Sequence, residues 1–353
     1  MTKNIDMLRE LCLLFGPSGC EDDVRDFIKE KAKAICDELY VDRLGNLIAR
    51  IRGVGDSKVM ISAHMDEVGF MINEITDTGY LKFDTLGGID TRVLCGKNVS
   101  IEAKDGKKIK GLITSKAIHH KKRSERLDIV PITSMYIDIG VSGKEEAEKY
   151  VEIGSYGTFD SEFYRFGKDG RKIKSKALDD RLGCAVMLSA MAELYPIKDT
   201  LPTDLYFCFT VREEIGLSGA QVAAQNIAPD FAIVLETTAV ADIAKVSDAS
   251  RVAIQGEGGA ISLMDRSTIY DRELVDFALD TAKALGIKAQ IKKYVSGGND
   301  AAHIHKSGVG VRTVAISAPT RYLHSPACVV DTADYISMLS LVPAMLKNLK
   351  FKN

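Results

Sequence analysis

The residues best suited to bind a metal ion or move a proton stand at the ends of this chain's apolar runs. His64 and Asp66 follow Val59-Met60-Ile61-Ser62-Ala63, Glu213 and Glu214 follow the run from Leu205 to Val211, and Glu236 follows Phe231-Ala232-Ile233-Val234-Leu235. His324 lies beyond the run Val311 to Ser317, and the pair Asp179-Asp180 immediately precedes a helical pattern starting near Arg181. In open α/β sheets, functional side chains gather at the carboxyl ends of strands. Two imidazoles and several carboxylates delivered to one rim would form the ligand set of a binuclear site, since imidazole suits zinc and cobalt while carboxylate also admits manganese. Two ions about 3.5–4 Å apart need a bridge, which one carboxylate supplies by offering an oxygen to each. Taken singly, each group has a plainer reading. An Asp pair before a helix caps its N-terminus, and a Glu pair makes a solvated loop. Their joint placement at strand ends is what favours a site.

The elements that must position these groups follow from periodicity. Two helices are expected over Ile5 to Phe15 and Glu21 to Cys36, separated by Gly16-Pro17-Ser18-Gly19, with Ser18 and Glu21 spaced as a capping box. Strands are expected over Asn46 to Ile51 and Lys58 to Ala63. From about Asn73 the pattern changes to short alternating strands, such as Tyr80 to Phe83 and Asn98 to Ala103, punctuated by Asp77-Thr78-Gly79, Leu86-Gly87-Gly88 and Lys104-Asp105-Gly106. This predicts a small all-β module. Beyond Ala177, helices (Arg181 to Leu194, Leu217 to Gln225, Ile269 to Leu285, Thr332 to Leu349) alternate with strands (Asp204 to Val211, Phe231 to Glu236, Val311 to Ser317). That alternation predicts a three-layer α/β/α domain that starts, is interrupted by the β module, and resumes.

Composition narrows the function. Apolar residues make up 46% and charged residues 27%, which excludes disorder, collagen-like repeats and a coiled coil. With 47 Lys and Arg against 49 Asp and Glu, no excess of positive charge draws the chain to nucleic acid or an anionic membrane, so small molecules or peptides are the expected partners. No apolar run approaches the roughly 18 residues of a membrane span, and the stretch from Met1 to Glu10 lacks the apolar region of a signal peptide. Seven scattered cysteines without a CxxC pair argue against a disulfide framework, and a cytoplasmic location is expected.

Four segments carry a resemblance. Ala63-His64-Met65-Asp66-Glu67-Val68-Gly69-Phe70, Lys176-Ala177-Leu178-Asp179-Asp180-Arg181-Leu182-Gly183, Phe209-Thr210-Val211-Arg212-Glu213-Glu214-Ile215-Gly216 and Pro319-Thr320-Arg321-Tyr322-Leu323-His324-Ser325-Pro326 resemble, in order, the motifs of the glutamyl and tetrahedral aminopeptidase family. The likeness extends over essentially the whole chain. Members are cytoplasmic cobalt- or zinc-dependent aminopeptidases, some carrying the name endoglucanase, that assemble from dimers into hollow tetrahedral dodecamers. The resemblance implies a zinc-peptidase-like α/β/α catalytic domain of residues 1–71 and 165–353, with a β-barrel-like dimerisation domain inserted at 72–164. It also implies peptide substrates with a free N-terminus and a homo-oligomer.

By the same resemblance, Asp179 bridges two divalent ions (zinc, cobalt or manganese), His64 and Glu236 complete one, and Glu214 and His324 complete the other. Glu213 is then the general base for water attack on the scissile carbonyl, and Asp66 hydrogen-bonds His64 from behind, fixing its tautomer. Asp180 supports its neighbour. Two positions depart from the family pattern: Glu236 stands where Asp is usual, and Gly297-Gly298-Asn299-Asp300 where Gly-Gly-Thr-Asp is usual. That loop either shapes the rim near the substrate or is a plain turn. The same metal core would serve a deacylase of N-acylated small molecules, and a noncatalytic assembly protein could keep the fold; Glu213 beside a full ligand set argues for the peptidase. The motifs carry no signal for the preferred N-terminal residue.

Other candidates have structural readings. His303 and His305, two apart on an expected helix, do not share a face. His119 and His120 belong to a basic run without interleaved aromatics, and Cys184 lies among Ala185, Val186 and Met187 as a buried helix position. There is no GxSxG elbow or P-loop.

Overall fold

A computed structural model describes residues 2–125 and 127–349. The chain opens with helices α1 (Thr2–Leu13) and α2 (Asp22–Ala32), followed by strands β1 (Glu38–Val41), β2 (Leu47–Ile51) and β3 (Lys58–His64). It then forms β4 (Gly69–Ile75), β5 (Leu81–Leu86), β6 (Asn98–Glu102), β7 (Lys108–Ser115), β8 (Met135–Asp138), α3 (Lys144–Tyr150) and β9 (Tyr156–Phe159). Two short strands, β10 (Tyr164–Phe166) and β11 (Lys172–Ser175), lead back to α4 (Leu178–Leu194), β12 (Asp204–Thr210), α5 (Ser218–Ile227) and β13 (Phe231–Ala239). The remainder is β14 (Gly259–Ser262), α6 (Arg272–Ala284), β15 (Ala289–Lys292), α7 (Ala301–Ile304), β16 (Arg312–Arg321), β17 (Cys328–Asp331) and α8 (Thr332–Asn348).

The main sheet has eleven strands, ordered β1-β2-β12-β3-β13-β16-β17-β11-β10, with β14 on β16 and β15 on β14. Its centre is parallel: β3 lies between β12 and β13, and β13 pairs with β16. These strands are buried almost throughout, which is why they read as unbroken apolar runs rather than as alternations. Helix α4 packs along β3 and β13 and against α1 and α8, while α5 and α7 contact each other and the same central strands. Because the four central strands run in one direction, with Thr210 beside His64 and Glu236 beside Ser317, their carboxyl ends form one rim.

The inserted module is a closed barrel, β4-β5-β8-β7-β6-β9, around its own core of Val68, Phe70, Ile72, Leu81, Phe83, Val99, Ile101, Ile113, Ile137 and Phe159. The Phe70 ring meets Phe83 and Phe159 edge-on at 5.3 and 5.1 Å. Closure leaves the module no open strand edge. Its first strand starts at Gly69, directly after the His64 to Val68 segment, so the alternation of Val68, Phe70 and Ile72 belongs to the barrel core.

The capping box expected at α2 does not form. Glu21 occupies the N-cap without a side-chain capping bond. Instead, the Ser18 hydroxyl donates to Asp66 (2.5 Å), and the Glu21 carboxylate accepts from the backbone amides of Gly19 (2.7 Å) and Arg212 (3.2 Å). Both residues are drawn away from the helix by stronger tertiary partners, and they tie the N-terminal loop to the rim.

Beneath the rim lies a buried ionic group. Arg181 is fully buried and donates to the carbonyls of Met65 (2.5 Å), Leu11 (2.7 Å) and Gly16 (3.2 Å). Glu67 accepts from Lys176 (2.5 Å), lies 3.5 Å from Arg181, and accepts from Thr158 of the barrel (2.8 Å). Removing one member of a buried group strands the others. Arg181→Ala is therefore expected to destabilise by about 3–5 kcal/mol, read from the urea midpoint, whereas breaking the exposed Lys347–Glu193 pair should cost less than about 1 kcal/mol. A loss in Arg181→Ala no larger than at the exposed pair would show that the buried group adds little.

Candidate active site

His64 is the last residue of β3 and is buried. Its Nδ1 meets the backbone carbonyl of Asp66 at 3.0 Å and the Asp66 carboxylate at 3.4 Å. With that side engaged, Nε2 faces Asp179 Oδ1 (3.3 Å), Glu236 Oε1 (3.6 Å) and Glu213 Oε2 (4.0 Å). His324 sits beyond β16 with φ of 55°. Its Nδ1 contacts the Gly88 carbonyl of a barrel loop at 2.7 Å, and its Nε2 faces Asp179 Oδ2 and Glu214 Oε2 at 3.3 and 3.4 Å. The two oxygens of Asp179 thus face different imidazoles. The bond between Asp179 and Asp180 is cis, and the Asp180 carboxylate accepts from the Gly183 amide (3.0 Å). Gly183 has to be glycine for that contact, because a Cβ there would stand 2.4 Å from an Asp180 oxygen.

Asp66 does more than the sequence reading assigned to it. Its carboxylate accepts from the backbone amides of both Glu213 (3.0 Å) and Glu214 (3.1 Å) as well as from Ser18. The nearest acceptor for His64 Nδ1 is the Asp66 carbonyl rather than its carboxylate. Asp66 therefore clamps the turn that carries the glutamate pair, and Ser18 is a site-supporting residue that the sequence pattern concealed as a helix cap.

Charge is crowded here. Burial pushes Glu213 well above the usual carboxylate range, with His64 opposing and Glu236 and Glu214 adding to the rise. Burial likewise lifts Glu214 and Glu236 to about 8, and Asp179 adds to both. Burial would lower His324, but Asp179 and Glu214 carry it to about 10. Burial would raise Asp179, yet the two imidazoles hold it well down. For Asp66, too, hydrogen bonds and His64 outweigh burial, so it stays below the usual range.

Two groups of donors, His64 with Asp179 and Glu214, and His64 with Asp180 and Glu236, lie within 4.8 Å of one another and could each hold a metal ion. Asp180 thus comes closer to ligand position than the supporting role expected of it. Glu214 Oε1 and Asp180 Oδ2 are buried without a hydrogen-bond partner among the described residues. Unpartnered carboxylate oxygens beside imidazole nitrogens fit a divalent cation of the zinc, cobalt or manganese type.

The rim opens into a cavity of about 130 Å³, bordered by Asp179, Glu213, Glu214, Glu236 and His324 and also by Thr237, Lys292 and the Gly297–Asn299 loop. That loop shapes the cavity while Asn299 is held by Tyr270 and the Ala301 amide. The remaining candidates stand apart. His119 and His120 are exposed, His305 bonds the Ala301 carbonyl within its own helical turn, and the buried Cys184 thiol donates to the His64 carbonyl, its pKa raised by burial.

The fold is that of an aminopeptidase, a hydrolase acting on peptides. The chain matches the model of the M42 glutamyl aminopeptidase family over residues 45–341 and belongs to that family. It is 30% identical to the lysyl aminopeptidase of Pyrococcus furiosus, over 98% of this chain and 97% of that one. Among solved structures, it is similar to the TET aminopeptidase of the marine sediment archaeon Thaumarchaeota archaeon SCGC AB-539-E09, with a TM-score of 0.95, 34% identity and coverage of 99% and 97%. It is also similar to the Pyrococcus horikoshii TET1 peptidase, which can assemble into a tetrahedron or a large octahedral shell, with a TM-score of 0.87, 31% identity and coverage of 98% and 100%.

Replacing Asp66 by Asn turns one of its two oxygens into a donor facing a backbone N–H. Misplacing catalytic groups by about 1 Å costs about 10²-fold, and a fall of that size in kcat, with little change in KM, is expected for Asp66→Asn. Steady-state hydrolysis of an aminoacyl-anilide measures it, and an unchanged kcat would show that the glutamate turn is held by other contacts.

Proposed function

We propose that this protein is a binuclear metal-dependent aminopeptidase that removes the first residue of peptides with a free N-terminus. The observation that carries the reading is the division of Asp179, whose Oδ1 faces His64 while its Oδ2 faces His324. Around those two imidazoles, Asp179 would bridge, His64 and Glu236 would hold one ion, and Glu214 and His324 the other. Bound there, the ions would supply Lewis-acid polarisation of the scissile carbonyl and acidify water. Glu213, raised above the ordinary carboxylate range, takes the proton of the attacking water and returns it to the leaving amine. Asp66 keeps the Glu213 and Glu214 amides in place throughout. The acidic rim favours a cationic α-amino group, which restricts cleavage to the chain end. We further propose that the main-sheet domain, expected as residues 1–71 and 165–353, is catalytic and that the inserted domain, expected as 72–164 and built on the barrel from β4 to β9, serves dimerisation. A tetrahedral dodecamer is the expected assembly, supported by the likeness to the P. horikoshii peptidase.

Glu213→Gln is expected to lower kcat by about 10³-fold, within the 10²–10⁴ contributed by general bases, while two divalent ions per chain remain by elemental analysis. Retained turnover in that variant would remove Glu213 from the role. Activity confined to substrates with a blocked amine would replace the aminopeptidase by a deacylase.

Metal binding should also depend on pH. In the metal-free protein Glu214 and Glu236 titrate near 8 and His324 near 10, so these ligands hold protons that a cation must displace. Affinity is expected to weaken as pH falls below about 10, where His324 takes up its proton, and more steeply below about 8, where Glu214 and Glu236 do, with protons released on binding. Calorimetric titration of chelator-treated protein with zinc, cobalt or manganese, in buffers of different ionisation enthalpy, reads the release; heats that do not vary with buffer would contradict it.

A further inference from the structure

The lining of the cavity beside the metal-binding rim carries a charge that the proposed reaction does not use. Lys292, the last residue of β15, is only 7% exposed, and it lines the cavity together with Ser296, whose carbonyl accepts from its Nζ at 2.8 Å. An ammonium offers three donors, and no carboxylate among the described residues forms an ion pair with this one. The acidic groups that act on it electrostatically are Asp265 and Glu236. Asp265 is already engaged by the amides of Ser267 (2.7 Å) and Thr268 (2.8 Å) and by the Tyr270 hydroxyl (2.5 Å). Glu236 accepts from the Thr237 amide at 2.9 Å and faces His64.

A second observation points to the same place. Thr237, directly after Glu236, is 5% exposed and lines the cavity, and its hydroxyl has no hydrogen-bond partner among the described residues. A buried ammonium and a buried hydroxyl, both short of partners, cost free energy unless something completes their bonds. The cavity that they line together with the rim, at about 130 Å³, has room for one side chain and not for an extended peptide.

We infer that this cavity receives the side chain of the substrate's first residue and selects a carboxylate there, with Lys292 and Thr237 as specificity-determining residues for N-terminal glutamate or aspartate. The inference rests on the aminopeptidase reading and goes beyond it. Family membership leaves the sign open, because the family description names a glutamyl activity while the Pyrococcus furiosus relative is named a lysyl enzyme. A cation in the cavity lining attracts an acidic side chain and repels lysine or arginine. The rim carboxylates, meanwhile, face the α-amino group, so the two ends of a glutamyl residue meet opposite charges.

The test uses the full-length, metal-loaded protein and the p-nitroanilides of Glu, Gln, Leu and Lys. Glu and Gln have nearly the same shape and differ in charge. The wild-type protein is expected to favour Glu over Gln in kcat/KM by about ten- to hundredfold, the range of a hydrogen bond to a charged group. Lys292→Met should bring the two nearly level, Lys292→Arg should keep Glu ahead, and Lys292→Glu should move the preference toward Lys. Wild-type preference for Leu or Lys over Glu would overturn the inference and leave the aminopeptidase reading standing. So would a Lys292→Met variant that slows Glu and Gln by the same factor, the mark of a merely structural counter-charge. Hydrolysis of none of the four substrates with zinc, cobalt or manganese would overturn both readings. The wild-type ratio decides the matter even where a variant fails to fold.

Discussion

Asp179, Asp180, Glu213, Glu214 and Glu236 crowd around two imidazoles in a space largely closed to water, and this concentration of like charge is the constraint that the rest of the structure has to meet. Like charges repel strongly where burial removes solvent screening. Nothing local would keep these side chains together. They are held by backbone: Glu213 and Glu214 come from just beyond β12, Glu236 from the carboxyl half of β13, and Asp179 with Asp180 from the start of α4, itself buried against β3 and β13. A rigid sheet meets the cost of convergence through its apolar core, which is why the central strands are buried on both faces.

Two adjacent residues pass that constraint outward. Asp66 faces forward and fixes the peptide groups of Glu213 and Glu214, while Glu67 faces backward into Lys176, Arg181 and the barrel's Thr158. The barrel then returns to the rim through Gly88, whose carbonyl orients His324. Gly87, with φ of +86°, allows the loop to approach, since a Cβ there would lie 2.8 Å from Val68 and 3.2 Å from Glu214. The inserted module therefore reaches the site through its Gly87–Gly88 loop and its underside through Thr158, so its folding and the geometry of His324 are coupled.

Much of this was legible in the sequence because the central strands are long apolar runs with polar residues at their ends, a pattern that names both the layer architecture and the residues brought to one rim. His64, Asp179, Glu213, Glu214, Glu236 and His324 are all found there. What escaped was tertiary. Ser18 and Glu21 have the spacing of a helix cap, but the competing acceptor at Asp66 and donor at Arg212 are far away in sequence. Lys292 is the buried end of a four-residue strand whose other members are half-buried or exposed and show no clear alternation, so nothing marks it as cavity wall. Gly88 acts through its carbonyl, which every residue possesses.

The order of strands has a consequence for how such a chain comes into being. Strand β3, which carries His64, finds its parallel partners only in β12 and β13, with Lys58 waiting for Asp204 and Val59 for Phe231. During synthesis from the N-terminus, the barrel is completed first, while β3 has only open, apolar edges to offer. A closed barrel placed immediately after that strand gives it a folded neighbour through the long interval before its partners emerge. The same delay keeps the rim incomplete until His324 and the segment beyond it have been made, so a peptidase still on the ribosome has no finished site with which to trim its neighbours.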